Sequence, residues 1–178
     1  MSKRDWMGAA LVCAGVFAFS VAAPAQQKEP AKPAQQKPAA ATARHVVAMP
    51  DSLTWGPAPP ALPPGAQVAV VDGDPMKAGP FAIRLKFPAG YSIPAHWHPT
   101  DENIVVISGA FMVGMGNKLD EAAMQTLPAG GYAKMPKTMR HFAMTREETI
   151  IHLYGTGPFV LTYVNPADDP RKKTTAAK

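Results

Sequence analysis

The stretch Gly90-Tyr-Ser-Ile-Pro-Ala-His96-Trp97-His98-Pro-Thr-Asp-Glu102 decides how this chain is to be read. Its middle, Ser92–His98, reads as a short strand, entered by the turn residues Pro88-Ala-Gly90 and left through Pro99-Thr-Asp101. Side chains two apart on a strand point the same way, so the imidazoles of His96 and His98 share one face and Trp97 takes the other. The chain has only five histidines, and two rings aimed together are half a metal site. Glu102 begins the next strand, where a bend brings its carboxylate beside the rings, and His141 arrives from a third strand after Pro136-Lys-Thr138-Met-Arg140. Three imidazoles and a carboxylate suit one borderline divalent transition metal (Fe, Mn, Zn, Ni or Cu), with positions left for water or substrate. A single histidine of this kind is most simply a satisfied polar group in a half-buried strand; the spacing of the four argues against that for the set.

Outward from this stretch the pattern is all-β. Short apolar runs alternate with Gly and Pro at regular intervals, the mark of a sandwich or barrel. Gln67–Val71 is followed by Phe81–Phe87, where Phe81, Ile83, Leu85 and Phe87 share one face against Ala82, Arg84 and Lys86. Asn103–Ser108, Phe111–Met115, Met124–Leu127, Tyr132–Met135, Met139–Ala143, Thr149–Tyr154 and Phe159–Val164 complete about ten expected strands. No segment reads as a convincing helix. So many short strands in so little chain suit a closed or two-sheet jelly roll, which leaves few exposed edges. Asn165-Pro-Ala-Asp-Asp-Pro170 ends the fold, because its prolines cannot join a central strand.

The flanks read differently. Lys3 and Arg4, an Ala-rich apolar run from Met7 and the exit Ala23-Pro-Ala25 have the form of an export signal over residues 1–25, cleaved after Ala25. The run is weakly apolar and nearly long enough to span a bilayer, but its small-residue exit favours cleavage over a lasting membrane anchor. The expected location is therefore periplasmic or secreted. The sole cysteine, Cys13, falls inside the signal, so the mature chain has no thiol for a disulfide or metal. Residues 26–44 are almost wholly Ala, Pro, Gln and Lys and form an expected solvated linker. The net charge of +5 resides on the flanks: residues 45–170 hold eight basic and eleven acidic side chains, while Arg171, Lys172, Lys173 and Lys178 make a basic tail expected to be mobile. A nucleic-acid reader carries its charge on a folded face, so nucleic acid is not an expected partner.

Gly90-x5-His96-x-His98-x3-Glu102-x6-Gly109 resembles the first cupin motif at every fixed position. Gly130-x5-Pro136-x-Thr138-x2-His141-x3-Thr145 resembles the second, with Thr138 in place of its second glycine and Thr145 in place of its final asparagine. The resemblance is to small exported bacterial cupins, and it implies a single jelly-roll, or double-stranded β-helix, barrel over residues 45–170. It further implies a metal inside the barrel mouth on His96, His98, Glu102 and His141, and a homodimer as a common assembly.

The expected function is that of a metalloenzyme acting on a small molecule, of dioxygenase, other oxidoreductase or isomerase type. Its metal serves as Lewis acid or oxygen-binding centre, and Glu102 doubles as a base. His152, sharing a strand face with Ile150 and Tyr154, joins the catalytic candidates if that face lines the barrel. The competing expectation is a non-catalytic module that holds a metal or small ligand, favoured by the scarcity of further ionisable residues on the expected inner faces. The motifs of other enzyme classes, a phosphate-binding glycine loop or a Gly-x-Ser-x-Gly elbow, are not present.

Overall fold

Alternation along the chain becomes two packed antiparallel sheets in the computed structural model, which describes residues 45–173. The expected signal, the linker and residues 174–178 of the tail lie outside the described residues. Among the described residues there are eleven strands: β1 (Gly56–Pro57), β2 (Gln67–Asp72), β3 (Gly79–Phe87), β4 (Ser92–Trp97), β5 (Glu102–Ser108), β6 (Ala110–Met115), β7 (Gln125–Pro128), β8 (Tyr132–Met135), β9 (His141–Thr145), β10 (Thr149–Gly157) and β11 (Thr162–Tyr163). One sheet runs β1-β2-β3-β10-β5-β8 and the other β11-β4-β9-β6-β7. Consecutive strands repeatedly lie in opposite sheets, the winding of a double-stranded β-helix.

The core is the inner face of both sheets. Phe81, Ile83, Leu85 and Phe87 of β3 are buried as their alternation predicts, and they meet Ile104 and Val106 of β5, Phe111 and Val113 of β6, and Ile151 and Leu153 of β10. Phe87 stacks between Tyr91 and Phe111, with ring centroids 5.0 and 6.0 Å away. Residues 58–64, rich in proline, are fastened to the barrel by side chains from it: Tyr91 Oη donates to the Pro63 carbonyl at 2.5 Å and Tyr163 Oη to that of Ala61 at 2.8 Å. The apolar residues of this strap, Ala61 and Leu62, pack on the core.

Several expectations need correction. The strand expected over Phe159–Val164 is reduced to Thr162–Tyr163, because β10 extends to Gly157 and Pro158 cannot donate to a ladder. The strand expected over Met139–Ala143 lies two residues later, and β1 was not foreseen. The tail does not begin at Arg171: Pro170–Lys173 form one short helical turn, α1, and Arg171 donates to both carboxylate oxygens of Asp169 at 2.8 Å and to the Leu161 carbonyl at 3.3 Å.

The two departures in the second motif are resolved by local geometry. Thr138 has φ of 65°, the left-handed conformation that the motif's glycine adopts freely, and its amide donates to the His98 carbonyl at 2.8 Å. Thr145, 1% exposed, donates through its hydroxyl to the Pro88 carbonyl at 2.8 Å and pins the end of β9 to the turn before β4. The turn is thus kept at the expense of strain in a β-branched residue. Thr138→Gly is expected to raise unfolding free energy by about 1 kcal/mol, the relief of strain exceeding the entropy given to the unfolded chain. Denaturant titration checks this, and an unchanged or lower midpoint would show that Thr138 is unstrained.

Candidate metal centre

Strand β4 carries the first two candidate ligands and turns them inward by an irregularity in its pairing. Ile93 stands opposite Ala143 of β9, but His96 stands opposite His141, so three steps on β4 match two on β9. The extra residue is a β-bulge, and it shifts the alternation by one position. Ile93 and Ala95 are buried ahead of it, and His96 and His98 are buried beyond it, with Trp97 half-buried on the other face. An unbulged strand that kept Ile93 in the core would turn both imidazoles outward. The bulge therefore lets β4 contribute to the apolar core at one end and to a polar cluster at the other.

Glu102 opens β5 and His141 opens β9, so both enter the barrel at the same end. All four residues are buried, none more than 5% exposed. Glu102 Oε2 lies 3.2 Å from His141 Nε2 and 3.6 Å from His98 Nε2, and the nitrogens of the three histidines lie within 4.8 Å of one another. The four residues that the sequence singled out as a set thus come together in one place.

The other ring nitrogen of each histidine is already committed. Nδ1 of His96 bonds the Pro94 carbonyl at 2.8 Å, that of His141 the Met139 carbonyl at 3.0 Å and that of His98 the Val160 carbonyl at 2.9 Å. A carbonyl only accepts, so each Nδ1 carries the proton and each Nε2 presents its lone pair inward. Three lone pairs and a carboxylate oxygen then face each other with no donor among them, and His98 Nε2 and Glu102 Oε2 are buried without hydrogen-bond partners. Burial, followed by the neighbouring His141 and His98 rings, pushes His96 down to about 3, and burial lowers His98 in the same direction. Burial would raise the Glu102 carboxyl, but the His98 and His141 rings outweigh that and hold it low when they carry a proton toward it. An anion and neutral imidazoles gathered without a donor are the chemistry of a cation site, and His96, His98, Glu102 and His141 fit a divalent ion.

Two features of the site were not foreseen. The carbonyls that orient His96 and His141 lie two residues back on their own chain, whereas the one that orients His98 comes from Val160, sixty-two residues away. Phe159, beside it, stacks on the His98 ring at 4.3 Å and 16°. The signal available was Gly157-Pro158, which breaks the strand and sends the following residues across the barrel mouth. His152 corrects the other way. Ile151 and Leu153 point into the core and His152 is half-exposed on the opposite face of β10, across from Arg84 and Val105. Its expected catalytic role required the inner face and is withdrawn.

The profile of the ChrR cupin-like domain matches residues 43–160. The chain belongs to this cupin family. Among solved structures, this cupin is similar to a candidate acetylacetone dioxygenase from Methylibium petroleiphilum PM1, at 23% identity and a TM-score of 0.56, over 73% of this chain and 88% of that one. It is also similar to an RmlC-like cupin from Shewanella frigidimarina, at 16% identity and 0.51, over 65% and 94%. The polyketide cyclase RemF from Streptomyces resistomycificus follows, at 15% and 0.50, over 62% and 78%. At these identities the likeness is one of fold. A search of curated proteins returned no match.

The buried rings set a pH dependence for the metal-stripped cupin. An unfolded His96 binds a proton below about 6.5 that the folded one refuses until about 3, so stability is complete above 6.5 and falls as pH drops toward 3. Thermal melts of chelator-treated protein should show this decline, and His96→Leu should make it shallower. Equal slopes in both proteins would mean that His96 is not held neutral.

Proposed function

We propose that this cupin is an exported metalloenzyme that holds one divalent transition metal on His96, His98, Glu102 and His141 and acts on a small molecule. The observation that carries the reading is the meeting of four buried side chains in which His98 Nε2 and Glu102 Oε2 have no hydrogen-bond partner, since a cation or a captured proton relieves the repulsion among inward lone pairs and a carboxylate. A bound divalent ion would supply Lewis acidity and, if redox-active, electrons for oxidation chemistry. The chain's own part is to hold three imidazoles in one tautomer through backbone carbonyls, to exclude water with an apolar wall and to place Glu102 where it can accept a substrate proton. Dioxygenase, other oxidoreductase and isomerase chemistry all remain compatible with this arrangement.

A second reading, a periplasmic module that binds without turnover, has its own support. Apart from the four ligand candidates, the ionisable residues bordering the cavity are Asp74 and Arg171, and both are held in ion pairs. Among the described residues that line the cavity, these are the only acid and base besides the four ligand candidates.

The first test is elemental analysis of the mature protein, purified from the exported fraction without chelators. The expected result is about one transition-metal ion per chain and a mass beginning at Gln26. His96→Ala and His141→Ala should each lose most of the metal while keeping the β-sheet circular dichroism spectrum, and metal retained in both would remove the proposed ligand set. Turnover across a metabolite panel, abolished in the same variants, separates the enzyme from the binding module.

A further inference from the structure

The metal-site residues border a cavity of about 400 Å3, within the range of small-molecule sites. Its inner wall is hydrocarbon, with Ile83, Leu85 and Phe87 of β3 lying in one sheet with Ile151 and Leu153 of β10 and Ile104 of β5. Val70, Met76 and Val160 also border it and are 53%, 64% and 40% exposed, so its mouth is lined with hydrocarbon too. The charged pair at the solvent end offers no free partner. Asp74 holds Lys77 at 2.9 Å, and the Arg171 guanidinium is taken up by Asp169 and the Leu161 carbonyl.

A void of this size forfeits packing contacts that a closed core would keep, and an apolar solute recovers them. A sugar or phosphate in the same space would leave hydroxyls or charge without partners. At the ligand end the balance differs. A divalent ion with one carboxylate and neutral imidazoles leaves one positive charge, which a single ionised oxygen on the solute would neutralise.

Resting on the metal-site reading above, we propose that the cavity takes an apolar organic acid with one ionisable oxygen group, its hydrocarbon body against the inner wall and its oxygen toward the ligand cluster. The discriminating residues are those of the wall and mouth, and Val70 and Leu62 are the ones that tolerate change, since neither is fully buried.

The test is calorimetric titration of the zinc-loaded mature protein with straight-chain monocarboxylates from acetate to octanoate, with glucose and inorganic phosphate as polar comparators. Affinity should rise about fourfold per methylene, the equivalent of about 0.8 kcal/mol, until the cavity is filled. Val70→Asp and Leu62→Trp should each weaken octanoate on the order of tenfold, by a charge at the mouth and by lost volume, and should leave zinc content unchanged. Affinity that is flat with chain length, that is matched by phosphate or glucose, or that neither variant alters would overturn the inference. Zinc content of the same samples separates the two levels. One zinc per chain with a flat series ends the inference alone, and no zinc ends the metal-site reading with it.

Discussion

Four acceptor atoms facing one another inside a barrel are a standing electrostatic cost, and the architecture around them is organised to keep them there. Glu102 and the three imidazoles could have avoided one another by rotating toward solvent or toward donors. They do not, because each imidazole is anchored at its far side by a carbonyl and each residue sits at a strand end that faces inward. An unpaired buried acceptor costs on the order of 1–3 kcal/mol, so a cluster of them is costly without a cation and stabilising with one. Metal and fold are then thermodynamically linked, and the same geometry that weakens the stripped protein pre-organises the loaded one.

The bulge in β4 is the backbone device that makes this compatible with a hydrophobic core. Strict alternation forces a strand to give one face to the interior along its whole length. By inserting one residue between Ile93 and His96, β4 keeps Ile93 against the aromatic core and still turns two histidines to the mouth. Core and site are consequently two ends of one interior, and no separate loop is needed to present the ligands.

The sequence made the ligand set legible because side-chain direction on a strand has period two and because His96, His98 and Glu102 are close in the chain. The fold class was legible for a similar reason: Phe81–Phe87 in β3 alternates cleanly, and glycines and prolines punctuate the rest. Three things were not. The orientation of a strand face relative to the barrel cannot be read from one strand alone, and so the sequence left open whether His152 lines the barrel, whereas it lies on the outer face. The partner of His98 Nδ1 comes from a residue far along the chain, in a segment whose periodicity suggested a longer strand. The left-handed turn at Thr138 was obscured because a threonine occupies a position where the local backbone calls for glycine, and only the tertiary bond from its amide to the His98 carbonyl explains why the strain is tolerated.

That bond and its neighbour place His98 in a different position from the other two histidines. His96 and His141 are each oriented by a carbonyl two residues back along their own chain. His98 is held by the Val160 carbonyl on one side of the mouth and stacked by Phe159, and its own carbonyl receives Thr138 from another turn. The segment that supplies Val160 is in turn fastened to the opposite rim, where the Phe159 amide donates to the Pro75 carbonyl at 2.7 Å. Mouth and ligand are therefore one connected structure. Val160, whose carbonyl aims His98, also borders the cavity, so the cavity wall and the metal site share that contact.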